Sequence, residues 1–422
     1  MNKTIHKACV KGSILIPSSK SQTIRALLVA TFSKGKSIVR NPLFSADISS
    51  CVDICTSLGA IIKTDENDNF LVDATNVGTE KSPITLDCKN SGTSMYLATS
   101  MAASLNREIT FTGDKQLQKR PVENLLNSLR DLGVKVKNET GFPPYTIKGP
   151  IKGGKTTILC HTSQYLSSLL LGCPLAKGKC NVQVPLLYEK PYVKITENYL
   201  TDQKIRYSKH QDLQFFSFEG NQKYKGLDLT IAGDFSSASF FFGAAAITNS
   251  SITVTGLNQD DPQGDKGILR ILYSMGCDIQ WNDDAVTVTG PKILKGGVFD
   301  LNSMPDALPI LACVSAFSSQ PVRLVNVSQA RIKETDRISA MYQALRKLGA
   351  NVTEFHDGLS FQPVKEINGG NVSGCEDHRI IMALAIIGLR CKEDLIIDDI
   401  DAVNVTFPSF FKLLDKVTKK EI

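Results

Sequence analysis

The chain lacks the residue spacings that build metal centres. Its five His are scattered without an HxxxH or HExxH pattern, and none of its eleven Cys forms a CxxC pair. The nearest two, Cys51 and Cys55, are spaced CxxxC. Zinc and iron–sulfur sites are therefore not expected, and neither is a carboxylate-rich magnesium site. The cysteines read as reduced packing thiols of a cytosolic protein. No run of five or six basic residues occurs, which argues against nucleic acid or a polybasic membrane contact as partner. The longest apolar runs, at 240–247 and 380–389, fall well short of the roughly 20 residues that span a bilayer. The first ten residues hold Lys3 and Lys7 and no apolar signal-peptide core, so a cytoplasmic location is expected. No nucleophile–His–acid set is evident either.

What is present is the composition of an ordinary soluble α/β protein, 42% hydrophobic and 21% charged. A length of 422 residues predicts two to four domains at roughly 100–200 residues each. Lys and Arg number 48 against 42 Asp and Glu, a mild excess of +6 spread along the chain that suits small anionic ligands.

Four segments share one pattern, in which an amphipathic stretch ends in Leu or Met, then Gly, then a β-branched alternation. They read SLGAII, DLGVKV, SMGCDI and KLGANV, around Gly59, Gly133, Gly276 and Gly349. Gly133 lies 74 residues after Gly59, Gly276 lies 143 after Gly133, and Gly349 lies 73 after Gly276. The middle interval is close to twice the others, which predicts a degenerate copy near residue 205, in YLTDQKIRYS without the Gly. A sixth copy is expected in FFKLLDKV near the C-terminus. Each copy reads as a helix ended by a left-handed Gly and followed by a strand. Six such α/β units would fill the chain.

The polar clusters fall at predicted helix starts. PSSKSQTIRALL places Lys20, Ser21 and Arg25 where free backbone N–H groups and the positive dipole end attract an oxyanion. NSGTSMYL, with Asn90 and Gly92, lets a ligand approach the backbone. Arg120 before Pro121 is expected at a helix N-terminus, where a bound anion would offset the clash between cation and dipole. HTSQYL supplies Thr162, Ser163 and Gln164 at the head of an apolar helix. Asp306 heads another, in the usual position of a helix cap. RIKETDR is the densest cluster; on a helix Lys333 and Arg337 would share a face, with Glu334 pointing elsewhere. Arg379 stands with Asp377 and His378 at the start of a strongly apolar helix. If these starts converge, they form one deep anion site containing two acids, Asp306 and Glu334.

These clusters, in this order, resemble the EPSP synthase (3-phosphoshikimate 1-carboxyvinyltransferase) family. The resemblance runs from about Gly12 to Phe411 through SKSxxxRxLxxA, NSGTSM, RPVENLLNSLRDLG, SQYLSSLLL, KPYVKIT, GDFSSASFFFGAAA, QGD, PDA, RIKETDR and DHRIIMA. It implies two globular domains, each of three βαβαββ units arranged as an inside-out α/β barrel, with the active site in the cleft between them. Domain I would hold residues 1–18 and 233–422, and domain II residues 19–232. It further implies transfer of the enolpyruvyl group of phosphoenolpyruvate to the 5-hydroxyl of shikimate 3-phosphate by addition and elimination, with no metal or cofactor, in a monomer that closes on its substrates. By matching motif, the resemblance assigns Lys20, Ser21, Arg25, Thr162, Ser163, Gln164, Tyr192, Asp306, Gln329 and Lys333 to shikimate 3-phosphate. It assigns Lys20, Asn90, Gly92, Arg120, Gln164, Arg337 and Arg379 to phosphoenolpyruvate. Asp306 would be the general base for the hydroxyl, and Glu334, assisted by Lys20, would protonate and deprotonate the methylene carbon.

Several positions depart from that family's pattern. Ser18 stands for Gly, Tyr96 for Arg, Glu189 for a Ser that contacts the substrate phosphate, and Gln329 for Asn. Val405 stands for a Lys that grips phosphoenolpyruvate, a loss of about 1.5–3 kcal/mol of charged contact. These departures motivate an alternative, a catalytically reduced relative that binds shikimate-type anions. A second alternative, UDP-N-acetylglucosamine enolpyruvyl transferase, needs a reactive loop Cys. The segment between the RPVENLL and TSQYL motifs holds only Cys160.

Overall fold

The computed structural model describes residues 1–419. The chain separates into two compact units, one of Met1–Pro17 with Ala232–Ile422, the other of Ser18–Ile231. Among the described residues, no helix is long and apolar enough to cross a membrane.

The continuous unit contains helices α1 (Lys20–Thr31), α2 (Ala46–Ser57), α3 (Gly92–Ala102), α4 (Glu123–Asp131), α5 (Ser163–Gly172) and α6 (Lys190–Asp202). Its three four-stranded sheets share one topology. In the second, Ile84–Asp87 runs parallel to Glu108–Thr112, which pairs antiparallel with Tyr145–Lys148, which in turn pairs antiparallel with Lys135–Lys137. Gly154–Cys160, Cys180–Leu187, Phe215–Phe218 and Tyr207–Lys209 repeat that order. So do Asp228–Thr230, Lys36–Arg40, Phe70–Asp73 and Ile61–Thr64. In the repeats of α3 with α4 and of α5 with α6, one helix follows the first strand and one the second, giving βαβαββ; in the repeat of α1 with α2 the outer parallel strand, Asp228–Thr230, comes from the end of the unit.

The discontinuous unit contains α7 (Phe235–Ile247), α8 (Ile268–Ser274), α9 (Leu308–Ser315), α10 (Arg337–Lys347), α11 (His378–Gly388) and α12 (Phe410–Val417). Its first two sheets follow the same rule, with Cys9–Leu15 parallel to Ser251–Thr255 and Gly297–Asp300 parallel to Val322–Val325. The third is built differently. Gly370–Val372 runs parallel to Leu395–Ile397, and the antiparallel neighbour is Lys3–Ile5 from the start of the chain.

The two helices of a repeat have different jobs. Every residue of α3, α7, α9 and α11 is buried. A helix apolar all round has no face for water, so FSSASFFFGAAAI can only sit inside. Helices α4 and α10 bury one face and leave the other wet. The helices α7, α9 and α11 pack on one another, as α3 does on α1 and α5, with the sheets around them. Close approach of α3 and α5 depends on Gly172. A Cβ there would lie 2.6 Å from both Cβ and O of Ser100.

The predicted helix-to-strand junctions are present. Gly59, Gly133, Gly276 and Gly349 have φ of 110°, 84°, 107° and 88°. At each, the residue after the Gly donates its N–H to a carbonyl five residues back, as Ala60 does to Cys55 at 3.1 Å and Ala350 to Leu345 at 2.9 Å. The copy without Gly closes identically. Lys204 takes φ 55° and Ile205 donates to Leu200 at 2.9 Å. The last copy has no such turn; α12 passes directly into Thr418–Lys419, which pairs with Cys9–Leu15.

Gly172→Ala should destabilise the protein by about 1–3 kcal/mol by forcing α3 and α5 apart. Urea denaturation would read this as a lower midpoint at unchanged slope; an unshifted midpoint would show that the helix contact relaxes freely.

Candidate active site

In the continuous unit, Lys20 opens α1 and its Nζ lies 3.0 Å from Oδ2 of Asp47, in the first turn of α2. Arg25 is one turn further on and 1% exposed. Its Nε donates to Thr196 Oγ1 at 2.8 Å, Nη1 to the Ser21 carbonyl at 2.8 Å, and Nη2 to the Tyr192 carbonyl at 3.2 Å and Ser167 Oγ at 3.4 Å. All of these acceptors are neutral. Burial therefore pushes its pKa down to about 10, which still leaves a cation at neutral pH. Such a group draws an anion.

Thr162 caps α5, accepting from the Gln164 N–H at 3.4 Å. The buried Gln164 Oε1 has no hydrogen-bond partner among the described residues. Glu189 closes over this helix start. Its Oε2 accepts from the Ser163 N–H at 3.0 Å, Ser163 Oγ at 2.8 Å and Thr162 Oγ1 at 3.2 Å.

Arg120 is not at a helix N-terminus. It is extended, between a 3-10 turn at Leu117–Lys119 and the start of α4 at Glu123. Pro121 ends the turn and delays the helix. The Arg120 side chain lies against Gly92 at the start of α3, where a Cβ would come within 2.3 Å of Nη1. The peptide beside Arg120 is pinned, because Tyr96 and Tyr165 both donate to the Pro121 carbonyl, at 2.9 and 2.5 Å. The Asn90 amide donates to Asp114 Oδ2 at 2.8 Å and Gln116 Oε1 at 2.6 Å, tying the α3 start to the segment that leads to Arg120.

In the discontinuous unit the centre is Arg337, 1% exposed, the first residue of α10. Its Nε reaches Asp377 Oδ2 at 2.8 Å, Nη1 reaches Asp306 Oδ1 at 2.8 Å, and Nη2 reaches Glu334 Oε2 at 2.6 Å. Arg379 Nη2 holds the other Asp306 oxygen at 3.0 Å. Asp377 also caps α11, accepting from the Arg379 N–H at 2.8 Å. Burial pushes the Asp306 carboxyl up, but Arg379, Lys333 and Arg337 outweigh it and hold the group well below the usual carboxylate range. Asp306 still keeps 23% of its side chain accessible.

Two expectations fail here for one reason, the local backbone. Residues 333–336 are not helical, so Glu334 does not point away but folds back onto Arg337. Asp306 lies in the 3-10 turn Pro305–Ala307 and makes no cap; both its oxygens face arginines. Gln329 is buried, donates to the Asn302 carbonyl at 3.0 Å, and leaves Oε1 without a partner among the described residues. Val405 ends a 3-10 turn at Ile400–Val405 that packs on α11, the helix carrying Arg379.

The structure thus gathers Asp306, Glu334, Arg337 and Arg379 directly, with Lys333 acting on Asp306 through its charge. It joins Arg25 to Tyr192 and Gly92 to Arg120. The partners Asp47, Asp377, Ser167 and Thr196 were not foreseen in these roles. The only sequence signal for the two acids was their place in a first turn or cap.

A carboxyl with a depressed folded pKa stabilises the protein above its unfolded value near 4, and that contribution fades as pH falls below it. Stability of the native protein should therefore drop between pH 5 and pH 3 more steeply than that of Asp306→Asn. Urea midpoints across that window would show the difference; parallel curves would remove Asp306 from the acid response.

The comparisons with known proteins agree with one another. The model of the EPSP synthase (3-phosphoshikimate 1-carboxyvinyltransferase) family matches residues 6–414. A 3-phosphoshikimate 1-carboxyvinyltransferase of Ruminiclostridium cellulolyticum is 43% identical over 408 residues, 96% of each chain. One of Acetivibrio thermocellus is 40% identical over 414 residues, 98% of this chain and 97% of the relative. Among solved structures, an EPSP synthase of Acinetobacter baumannii aligns with a TM-score of 0.83 at 25% identity, covering 99% of this chain and 98% of the other. The repeats, the polar and charged helix starts and this agreement along nearly the whole length lead to one conclusion: the chain belongs to the EPSP synthase family.

Proposed function

We propose that the chain transfers the enolpyruvyl group of phosphoenolpyruvate to the 5-hydroxyl of shikimate 3-phosphate, releasing inorganic phosphate. The observation that carries this reading is the Arg337 cluster, two arginines and two exchangeable acids held at one point. The relatives named above carry the name of this reaction.

In the addition step, the 5-hydroxyl oxygen bonds to the central carbon of phosphoenolpyruvate, losing its proton to Asp306. Once a substrate anion has taken Arg337 from it, Glu334 holds a proton, which it gives to the methylene carbon, making a methyl group. In the elimination step, the methyl group returns a proton to Glu334 as the phosphate leaves with the proton that Asp306 had taken. Lys20 assists these transfers. Arg120, Arg337 and Arg379 hold the phosphate and carboxylate of phosphoenolpyruvate, which suit the planar fork of a guanidinium. Gln164 and Asn90 belong to the same assignment, Asn90 through the loop it fastens. Lys20, Ser21, Arg25, Thr162, Ser163, Gln164, Tyr192, Asp306, Gln329 and Lys333 hold shikimate 3-phosphate. The unpartnered oxygens of Gln164 and Gln329 are ready acceptors for substrate hydroxyls.

A carboxyl held as low as Asp306 is a poor base. The assignment works because Asp306 is held low by the same arginines that the substrate anions need. When those anions take Arg337 and Arg379, Asp306 loses its partners and its proton affinity rises. The protein acts as a monomer in this reading.

Phosphate release should require both substrates together. Its absence above background at saturating concentrations would end the reading. Asp306→Ala and Glu334→Ala should each lower kcat by about 100-fold or more, a larger effect than any change in KM, since proton transfer is lost. A rise in KM alone would reassign these acids to binding.

A further inference from the structure

Glu189 occupies a place that nothing in the proposed reaction explains. It is 2% exposed, and it precedes α6 in a left-handed conformation, φ 56° and ψ 40°. That region is uncommon for a residue with a long side chain and is often kept where function needs it. The twist turns the side chain inward onto the start of α5. One carboxylate oxygen there collects a backbone N–H and two hydroxyls, from Ser163 and Thr162. Two charge-assisted hydroxyl bonds and a helix N-terminal N–H are the donor set that a phosphate oxygen takes. The same segment is tied to Arg25, since the Tyr192 N–H donates to the Glu189 carbonyl at 3.0 Å and the Tyr192 carbonyl accepts from Arg25. An anionic side chain thus already fills an anion site.

We propose that Glu189 is a specificity-determining residue: in the ligand-free protein its carboxylate holds the α5 donors that would receive the substrate's phosphate, and the phosphorylated substrate binds by displacing it. This rests on the function proposed above. The carboxylate and the phosphate cannot share Ser163 and Thr162, because both are anions that need the same hydrogens. A free phosphate gains only this one donor set and loses the contest. Shikimate 3-phosphate adds contacts along its ring, at Gln164 and Lys20, and wins. Glu189 therefore weakens every phosphate that needs these donors, and a ligand binds appreciably only when it brings further contacts.

The test is calorimetry on the full chain and on Glu189→Ser and Glu189→Gln, with shikimate 3-phosphate, shikimate and inorganic phosphate as ligands. Circular dichroism first establishes that each variant is folded; Glu189→Gln keeps the side chain's size if Glu189→Ser does not fold. Removing the charge should tighten shikimate 3-phosphate by about tenfold or more, tighten inorganic phosphate at least as much, and leave shikimate unchanged. Unchanged or weaker binding of both phosphate ligands in the folded variants would overturn the proposal, as would an equal gain for shikimate. If the native chain shows no turnover and no affinity for shikimate 3-phosphate, the reaction reading fails by itself. Inorganic phosphate still decides whether Glu189 excludes anions from α5, and a gain there would support displacement.

Discussion

A cation buried to receive an anion must be neutralised when the anion is away. Leaving a guanidinium dry and unpaired costs several kcal/mol, more than a marginally stable fold can carry at many points. This chain meets the constraint with carboxylates of its own. Arg337 is shared among Asp306, Glu334 and Asp377, Arg379 leans on Asp306, and Lys20 on Asp47. The start of α5 has Glu189. Arg25 is held by neutral acceptors, and burial lowers its pKa accordingly. Substrate recognition then becomes an exchange of one carboxylate for another anion, so the net cost of binding depends on the difference between two partners.

The repeats explain why so many of these groups lie at helix starts. A helix such as α3, α7 or α11 is buried along its whole length. Its end cannot reach water freely, and its free N–H groups need partners. Side chains at those starts are therefore polar by necessity, as with Thr162 and Asp377, which cap their helices. The same requirement that stabilises the fold supplies the hydrogen-bond donors that an oxyanion needs.

Much of this was legible in the sequence because the backbone conformation itself selects residues. A helix that ends in a left-handed turn favours Gly, so four junctions were visible by spacing alone. Lys204 makes the same turn without the Gly, so only the doubled interval between Gly133 and Gly276 points to it. The charged motifs pointed to anions, but their counter-ions did not show. Asp377 lies 40 residues from Arg337, and Thr196 lies 171 from Arg25. Each reads locally as an ordinary cap or helix residue. Glu334 was misread because a helix was assumed through RIKETDR, whereas a short irregular segment bends it back onto Arg337.

The strand exchange between distant parts of the chain bears on how the protein is made. Lys3–Ile5 finds its neighbour only at Leu395–Ile397, and Cys9–Leu15 lies between Ser251–Thr255 and Thr418–Lys419. On a ribosome delivering the chain from its N-terminus, Ser18–Ile231 is complete while these opening strands still wait for partners. Closing contacts across some 400 residues is slow. Cys9–Leu15 waits until Ser251–Thr255 emerges, and Lys3–Ile5 stays unpaired until Leu395–Ile397 follows near the end of synthesis.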